Sequence, residues 1–353
     1  MSKLCFLISD MSWSGGTVCM TALLANELCK TEEVHLLNLH CENEVSAELD
    51  LRIKQHVLSV TTGKFGIIKQ ICEIRNYIKL NKIDWLINVD VGISIYGIPA
   101  AKGTKTKVIT WEHSNFFNNW NSSIFPYFRR FAAKCSYAMV VLTKRDKENY
   151  QTHIKSKRPV YVIANSVQKH ECCYNMESKT ILSAGLLLPI KGYDRALQAA
   201  SKVLRNHPDW RWAICGEGPE RGHLEEQIHE MKLEEQVVLL GNISDMDKQY
   251  QNAAMFVLTS EMEGLPMVLL EAKSWGLPLI SFDIMTGPSD IIRDGVNGYL
   301  VEPYDVMKLS ERMEELIVSK DKRVEFSAHS QMDMDRFELN LIIKSWKQIM
   351  EDN

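Results

Sequence analysis

Short apolar runs alternate with amphipathic stretches along the whole chain. The amphipathic stretches are clearest at 17–30, 66–81, 193–206 and 220–232. The apolar runs read LCFLIS, VHLLNL, WLINVD, KVITWEH, AMVVLT, VYVIAN, TILSAG, WRWAIC, VVLLGN, MFVLTS, PLISFD and GYLV. Strands separated by helices imply parallel sheets with right-handed crossovers. The pattern therefore predicts an α/β fold of the doubly wound kind.

The alternation stops once, at the polar segment NSVQKHECCYNMESK (165–179). A chain of 353 residues is long enough for two domains, each with its own core. We therefore predict Rossmann-like domains at 1–165 and 180–335, joined by a linker at 166–179. Residues 336–353 contain an amphipathic helix that could pack on either domain, including a return to the first.

Charge is unevenly distributed, although the net charge is only −4. Residues 1–170 carry about +8 and the remainder about −12. The basic half contains a segment, 125–159, that interleaves Phe and Tyr with nine Lys and Arg. Such a face suits an anionic membrane surface or an anionic acceptor; a solvated face over an ordinary core is the alternative. Nucleic acid is not favoured, because the chain is acidic overall and has no recognised binding motif.

Cysteine usage and hydropathy favour a cytoplasmic protein. Nine Cys occur without a CxxC pair, which is typical of reduced thiols and gives no support for a structural zinc site. No stretch approaches the ~20 apolar residues of a membrane span. The first apolar run is too short for a signal peptide, because Asp10 interrupts it.

Two carboxylates flank a helix start in EMEGLPMVLLEAKSWGLPLISFD (261–283). We expect Pro266 at the first helical position, so that the N–H groups of Met267 and Val268 can bind a phosphate. Glu263 and Glu271 would repel that phosphate unless they bind hydroxyls of the same ligand, and a carboxylate matches a vicinal diol. A nucleotide-sugar has a diphosphate between two such polyols. The alternative is two surface acids, which a helix start favours anyway.

Three other loops follow strands and hold candidate residues. Lys191 lies between a strand and a helix, where it could neutralise a diphosphate. Gly15 and Gly16 follow the first strand and permit close backbone approach, although GxGxxG is absent. His113 lies at the carboxyl end of another strand. Each residue also has an ordinary structural interpretation, because an apolar-flanked His is often structural and a Lys in a loop is common.

Together these segments resemble the GT-B glycosyltransferases, specifically the large retaining family numbered four, also called glycosyltransferase group 1, of the bacterial polysaccharide and lipid-linked glycan type. The resemblance spans nearly the whole chain and is strongest over 181–302. It rests on the E-x7-E signature at Glu263 and Glu271, the KG pair at 191–192 and GPSDIIRDGVNGYLV, in the family order. It implies two Rossmann-like domains facing a cleft, with the donor held mainly by the C-terminal one.

The resemblance also implies residue roles. Glu271 would bind the donor ribose, Glu263 would face the transferred sugar, and His113 would lie near its C6 hydroxyl. Lys191 and the N–H groups of 265–268 would hold the diphosphate, and the backbone at Ile243 would meet the base. The implied catalytic residues are Glu263, His113 and Lys191. The implied donor-binding residues are Gly15, Gly16, Leu186, Lys191, Ile243, Glu263, Gly264, Leu265, Pro266, Met267, Val268 and Glu271.

One departure from the family pattern concerns the diphosphate. Leu186 occupies a position where the family usually has an Arg, and Asp290 replaces a usual Glu. Loss of a charge-assisted bond to the leaving group costs about 1.5–3 kcal/mol. Either Lys191 and the helix end suffice, another cation such as Arg293 or Lys273 substitutes, or catalysis is impaired.

The resemblance therefore predicts a retaining hexosyltransferase. It would move a hexose or N-acetylhexosamine from a UDP-sugar, without a metal cofactor, to a glycan, a polyprenyl-diphosphate-linked glycan or lipopolysaccharide. The basic half suggests a peripheral location on the inner face of the cell membrane. Two alternatives are a catalytically silent nucleotide-sugar-binding protein and a GT-B nucleotide-sugar epimerase.

Overall fold

The structure, a computed structural model, describes residues 1–13, 15–40, 45–59, 66–119, 122–171 and 174–351. The chain divides into two compact units. Unit 1 comprises Met1–Ser166 and Leu339–Asn353, and unit 2 comprises Val167–Glu338. Each unit contains its own parallel sheet, so the predicted α/β class with two doubly wound sheets is confirmed.

Unit 1 is built on a seven-stranded sheet with the order β3-β2-β1-β4-β5-β6-β7, in which every recorded pair is parallel. Its strands are β1 (Lys3–Ile8), β2 (Glu33–Asn38), β3 (Lys54–Val57), β4 (Trp85–Val89), β5 (Lys107–Trp111), β6 (Ala138–Val141) and β7 (Val160–Val162). Its helices before the second unit are α1 (Gly16–Leu28), α2 (Gly66–Asn81), α3 (Ser94–Ala101), α4 (Phe125–Cys135) and α5 (Lys144–Asn149). The central strands are buried on both faces, which explains their continuous apolar runs.

Strand β3 was not expected from the sequence. It forms the edge of the sheet, and all four of its residues are exposed. An edge strand without a buried face needs no apolar run, so the hydrophobic pattern contains no sign of it.

Unit 2 contains a six-stranded sheet with the order β10-β9-β8-β11-β12-β13. Its strands are β8 (Thr180–Ala184), β9 (Arg211–Cys215), β10 (Val237–Gly241), β11 (Met255–Leu258), β12 (Leu279–Phe282) and β13 (Gly298–Val301). Its helices are α6 (Tyr193–Val203), α7 (Arg221–Glu230), α8 (Met246–Gln251), α9 (Met267–Ser274), α10 (Pro288–Ile291), α11 (Val306–Val318) and α12 (Lys320–Ser330). Ligands of such sheets bind beyond the carboxyl ends of the strands, so the loops that follow β8, β10, β11 and β12 are the relevant ones.

The segment predicted as a linker, 166–179, is instead largely part of unit 2; residues 172 and 173 lie outside the described residues. The His170 ring stacks on Trp275 with 3.9 Å between ring centroids. The hydroxyl of Tyr174 donates to the Ala254 carbonyl, and Ser178 donates to the Asn252 carbonyl. The segment packs through these ring and hydrogen-bond contacts rather than through an apolar face. The sequence suggested a free connection because the segment lacks apolar periodicity.

The last helix, α13 (Leu339–Glu351), belongs to unit 1. Trp346 on this helix is fully buried and meets Trp111 edge to face, with 5.1 Å between ring centroids. Lys347 donates to the hydroxyl of Thr31. The predicted alternatives for this helix are thereby reduced to one.

None of the helices in the described ranges combines the length and apolar character that crossing a bilayer requires.

Candidate functional site

Helix α9 begins one residue later than the sequence suggested. Pro266 is the cap of this helix, in an extended conformation with ψ 105°, and Met267 is the first helical residue. The Pro266 carbonyl accepts the N–H groups of Leu269 and Leu270. Within the described part of the chain, the N–H groups of Met267 and Val268 have no acceptor. The correction therefore leaves intact the two donors expected to face a phosphate.

Lys191 and Glu263 meet at this end of α9. The Lys191 Nζ lies 2.6 Å from Glu263 Oε1, and both side chains are mostly buried. Lys191 ends a 3₁₀ turn after β8, and its carbonyl accepts the hydroxyl of Thr259. Gly192 follows with φ +66°, and a Cβ there would lie 2.3 Å from the Thr259 carbonyl oxygen. Only glycine fits, and the Lys191 turn is thereby fixed against the loop after β11.

A second loop, after β12, supports the loop that contains Glu263. The hydroxyl of Thr286 donates to the Glu263 carbonyl at 2.7 Å. Gly287 has φ +100°, and a Cβ there would lie 2.5 Å from Pro266 Cδ and 2.9 Å from the Gly264 carbonyl. Residues 264–266 are therefore held between two loops, which orients the free N–H groups of α9.

Glu271 lies at the edge of a separate cavity of about 460 Å³ in unit 2, the Glu271 cavity. Ser244, the residue after Ile243, also lines it. The buried Tyr250 donates its hydroxyl to Glu271 Oε2 at 2.7 Å. Burial raises the pKa of Glu271, whereas the Tyr250 hydrogen bond lowers it. One carboxylate oxygen is thus fixed by Tyr250, and no hydrogen bond to another described residue occupies Oε1.

On the expectation that Glu271 binds the donor ribose, Tyr250→Phe should raise the KM for the donor about five- to tenfold with little change in kcat, because Glu271 loses the group that orients it. Steady-state kinetics with a varied nucleotide-sugar measures this split. Tyr299→Phe is the matched control, because the Tyr299 hydroxyl also donates to a carboxylate, that of Glu315. A fall in kcat at unchanged KM would show that Tyr250 does not act through donor binding.

The two cations named as substitutes for the missing Arg both have partners within the protein. Lys273 is buried, and its Nζ donates to the Ile291 carbonyl at 2.7 Å. Burial lowers its pKa to about 8. Arg293 pairs with Asp333 at 3.8 Å. Leu186 is half exposed in the loop between β8 and the turn that ends at Lys191, so an Arg side chain would fit there without entering the core.

In unit 1, the paired glycines lie at the carboxyl end of β1. Gly15 caps α1, which begins at Gly16, and no side chain completes the cap. Among the described residues, no atom lies within 4 Å of the position where a Gly15 Cβ would be. The start of α1 is therefore open to close approach by a ligand.

His113 lies at the same edge of the unit 1 sheet, two residues after β5. Its ring lies against Trp111, with 4.0 Å between ring centroids. Burial lowers the pKa of His113 to about 3, so the imidazole is neutral at pH 7. Its buried Nε2 has no hydrogen-bond partner among the described residues. A neutral ring with a free nitrogen can accept or donate one hydrogen bond to a ligand hydroxyl.

We expect His113 to make the protein sensitive to acid. The unfolded chain takes up a proton near pH 6.5 but the folded His113 does so only near pH 3, so its stabilising contribution is complete above 6.5 and is lost as pH falls. Thermal unfolding of the wild type and His113→Gln, compared at pH 7.5 and 5.5, measures the effect. The wild type should lose about 1 kcal/mol relative to the variant. If the difference in stability between the two proteins were the same at pH 7.5 and 5.5, the pKa of the folded His113 would not be lowered.

A buried network of polar side chains begins at Glu112, the residue before His113. Glu112 is fully buried and accepts the Tyr150 hydroxyl at 2.8 Å and Arg129 Nε at 3.3 Å. Burial, and then the charge of Asp90, raise the pKa of Glu112 to about 8, while Arg129 opposes the shift. Arg129 also donates to the backbone carbonyls of Asn115 and Asn118. The network fixes the loop that follows His113.

Sequence reasoning did not identify Arg129, Glu112, Tyr250 or Thr286. Arg129 was counted as part of the basic segment, yet its side chain is turned into the core. Its position in the apolar register of α4, four residues after Phe125, was the one available signal. The other three depend on contacts between residues distant in the chain.

The basic segment 125–159 divides between two cavities of unit 1. The aromatic cavity, of about 550 Å³, lies beside the loop after His113 and is lined by Phe116, Phe117, Tyr127, Arg130 and His153 among others. A second cavity lies near the carboxyl end of α4. The segment therefore supplies both surfaces and core, rather than one continuous cationic face.

Comparisons with known proteins agree with this architecture. The family model described as Glycosyl transferases group 1 matches residues 173–332. The amylovoran biosynthesis glycosyltransferase AmsD of Erwinia amylovora is 28% identical over 99% of this chain and 100% of its own length. An α-1,4-N-acetyl-D-galactosaminyltransferase of Campylobacter jejuni, acting on an undecaprenol-diphosphate-linked glycan, is 26% identical over 100% of this chain and 99% of its own.

A solved structure extends the likeness to the whole fold. HepE of Anabaena, crystallised with UDP and glucose, superposes with a TM-score of 0.85 at 16% identity and covers 100% of both chains. At that identity the likeness concerns the fold alone. The chain therefore has the GT-B fold, and its residues 173–332 match the family model described as Glycosyl transferases group 1.

Proposed function

We propose that this glycosyltransferase moves a hexose or N-acetylhexosamine from a UDP-sugar to a glycan or lipid-linked glycan acceptor, with retention at the anomeric carbon. The observation that carries the proposal is the 2.6 Å pair of Lys191 and Glu263 beside the free N–H groups of α9. A cation and two amides suit a diphosphate, and the adjacent carboxylate suits sugar hydroxyls.

The difficult step is departure of the diphosphate while positive charge develops at the anomeric carbon. Lys191 and the N–H groups of Met267 and Val268 stabilise the negative charge as it forms, and they supply this stabilisation without a required metal. The acceptor oxygen forms its bond to the anomeric carbon on the face from which the diphosphate oxygen departs. The hydroxyl proton passes to that departing oxygen. Glu263 orients the sugar and forms no covalent bond.

The remaining residues bind and position the donor. Glu271, oriented by Tyr250, accepts the ribose hydroxyls, and the backbone near Ile243 meets the base. His113 bonds a hydroxyl of the transferred sugar through its free Nε2. Gly15 and Gly16 allow the donor to approach the start of α1.

The acceptor class is proposed from the relatives. The names of AmsD and the Campylobacter enzyme refer to amylovoran biosynthesis and to an undecaprenol-diphosphate-linked glycan. We infer an acceptor of the same chemistry, a surface polysaccharide, lipopolysaccharide or polyprenyl-diphosphate glycan. Its glycan would contact the aromatic cavity, because aromatic rings pack against sugar faces and Arg130 suits an anionic group. The protein would then act in the cytoplasm, peripherally at the inner face of the membrane.

A thermal-shift series with nucleotide-sugars tests the proposal. UDP-sugars should stabilise the protein more than UDP alone, because only they occupy the Glu263 side of the site. Turnover with a lipid-linked or soluble glycan acceptor, insensitive to EDTA, should follow for the sugar that stabilises most. The anomeric configuration of the product, read by NMR, tests retention. No response to any nucleotide-sugar would contradict the proposal.

Leu186 favours one second candidate, a protein that binds a nucleotide-sugar without transferring it. Leu186→Arg should tighten donor binding and raise turnover by about ten- to a hundredfold, because the added guanidinium joins Lys191 at the leaving group. Calorimetric titration with UDP and product formation measure both effects. Turnover that is absent in the wild type and appears in this variant would establish the silent candidate. A variant with unchanged UDP affinity would show that position 186 does not reach the diphosphate.

A further inference from the structure

Three rings of unit 1 are in contact at the carboxyl end of β5: those of Trp111, His113 and Trp346, the Trp–His triad. The His113 ring lies against Trp111 with 4.0 Å between ring centroids, and Trp111 meets Trp346 edge to face at 5.1 Å. Trp111 is 3% exposed and Trp346 is 0% exposed. Trp346 lies on α13, which follows the whole of unit 2 in the chain, so the triad joins the last helix to a candidate donor-binding residue.

The backbone at the centre of the triad is fixed by the sheet. The Trp111 carbonyl accepts the N–H of Asp90 at 2.8 Å. The N–H of the next residue, Glu112, donates to the Val140 carbonyl at 2.9 Å. The end of β5 is thereby tied to the end of β4 on one side and to β6 on the other. An edge-to-face pair favours one relative orientation of its rings, so Trp346 restricts the orientation that the Trp111 side chain can take.

Helix α13 has anchors other than Trp346. Ile342 and Ile349, four residues before it and three after it, are buried on the same helix. Side chains three or four residues apart share one face of a helix, so this face packs on unit 1 at several points. The Nζ of Lys347 also donates to the hydroxyl of Thr31 at 2.8 Å. A smaller side chain at position 346 should therefore leave the helix in place and open a gap in the triad.

Core stability alone does not account for the two indoles. The buried Nε1 of Trp111 and that of Trp346 have no hydrogen-bond partner among the described residues. A buried N–H without a partner is unfavourable, and a phenyl ring would fill much of the same space without one. What an indole adds is reach, because its second ring extends further from the backbone. The two side chains therefore suit a role in which the position of the rings matters.

The position of the His113 ring matters for the hydrogen bond that we propose for it. Its buried Nε2 has no partner in the described part of the chain. A hydrogen bond weakens steeply when it is bent or when its heavy atoms are more than about 3.2 Å apart. Burial lowers the pKa of this ring to about 3, and no charged group of the described residues contributes to the shift. Trp111 is one apolar wall of this dry environment, so a displaced Trp111 would both move the ring and admit water.

We propose that Trp346 is a positioning residue: through Trp111 it holds the His113 ring where Nε2 can bond the donor sugar. The inference rests on the proposed donor role of His113 and adds that the last helix of the chain sets it. UDP lacks the transferred sugar, so the binding of UDP should not depend on Trp346.

Trp346→Leu should weaken binding of the UDP-sugar that stabilises the wild type most by about two- to tenfold, which is the contribution of one neutral hydrogen bond. Binding of UDP should be unchanged. Trp346→Phe keeps an aromatic edge toward Trp111 and should recover most of the lost affinity. Isothermal titration calorimetry of the full chain with both ligands measures these effects.

The pKa of His113 gives a second measurement that needs no ligand. In Trp346→Leu it should rise from about 3 toward the ordinary value of 6.5, because water reaches the ring. NMR titration of the full chain with isotope-labelled histidines follows this pKa, and the signal that is absent from His113→Gln identifies the residue. If no UDP-sugar bound to the wild type while this pKa still rose in the variant, the proposed function would fail and the positioning by Trp346 would stand.

Two further variants separate positioning from general destabilisation. Ile349→Ala opens a gap on the same face of α13 and should lower thermal stability without changing the pKa of His113 or the affinity for the UDP-sugar. Trp111→Phe should weaken UDP-sugar binding as Trp346→Leu does, and combining the two changes should add little, because both interrupt one path. Trp111→Phe also provides the same test if Trp346→Leu fails to fold.

Three results would overturn the proposal. The first is a folded Trp346→Leu variant in which the pKa of His113 and the affinity for the UDP-sugar are unchanged. The second is an equal loss of affinity for UDP and the UDP-sugar, or the same loss in Ile349→Ala, which would indicate a general loosening of unit 1. The third is a pair of effects, those of Trp111→Phe and Trp346→Leu, that multiply independently, which would show that Trp346 does not act through Trp111.

Discussion

Glu263→Gln should lower the rate of sugar transfer at saturating donor by at least about a hundredfold, equivalent to about 2.7 kcal/mol of transition-state stabilisation. The neutral amide keeps the size of the side chain but removes the negative charge that would stabilise the positive charge developing at the anomeric carbon. It also weakens the contact with Lys191, which is 2.6 Å long in the wild type. Single-turnover measurement of product formation is the appropriate assay, because it isolates the chemical step.

Two comparisons make the result specific to Glu263. UDP binding should change by no more than about threefold, because UDP lacks the sugar that we propose this carboxylate faces. Glu261→Gln serves as the matched control: Glu261 lies two residues earlier and pairs with Arg195. If both variants lost activity equally, the effect would belong to the loop as a whole. If Glu263→Gln retained full activity, the assigned role would be wrong.

The fold could be predicted because the apolar runs in the sequence coincide with most of the buried strands. Strands such as β1 and β4 are enclosed on both faces, so each needs an unbroken apolar run, and such a run is visible without coordinates. The E-x7-E spacing was readable for a similar reason, since both carboxylates lie around one helix end. Their functional roles remain predictions that the proposed assays test.

Other parts of the site could not be predicted, because their causes are not local. Tyr250 reaches Glu271 across twenty-one positions, and Thr286 reaches the Glu263 carbonyl across twenty-three. Lys273 looked available to a ligand, since a lysine is usually exposed. Its long side chain instead enters the core and meets the Ile291 carbonyl, which only the packing of α9 against α10 reveals.

The buried network of Glu112, Arg129 and Tyr150 is the clearest example of contacts that the sequence does not reveal. A basic segment with interleaved aromatic residues predicts a solvated or ligand-binding face, and Arg130 conforms to that expectation. Its neighbour Arg129 is buried and meets Glu112, seventeen residues earlier. Adjacent residues of a helix point about 100° apart, so two identical side chains in one charged run can have opposite environments.

Arg129→Met should therefore destabilise unit 1 by about 3–5 kcal/mol above pH 8, where Glu112 is ionised, because breaking a buried ion pair leaves the remaining partner without compensation. Glu112 loses its cation, and the Asn115 carbonyl and the Asn119 side chain each lose a donor. The cost should grow as pH rises through about 8, the folded pKa of Glu112, since the ionised carboxylate depends most on Arg129. Scanning calorimetry of the full chain is suitable, because two units need not unfold together.

Arg130→Met is the matched control for this prediction, and it should change stability by no more than about 0.5 kcal/mol because Arg130 is exposed. Arg129→Lys gives a milder test should the Met variant fail to fold: the charge remains, but one ammonium cannot replace a guanidinium that reaches Glu112 and the 115–119 loop together. We expect it to be less stable than the wild type and more stable than Arg129→Met. Equal stability of the Arg129 and Arg130 variants would mean that the buried network does not hold the loop after His113, and the positioning of His113 would then need another cause.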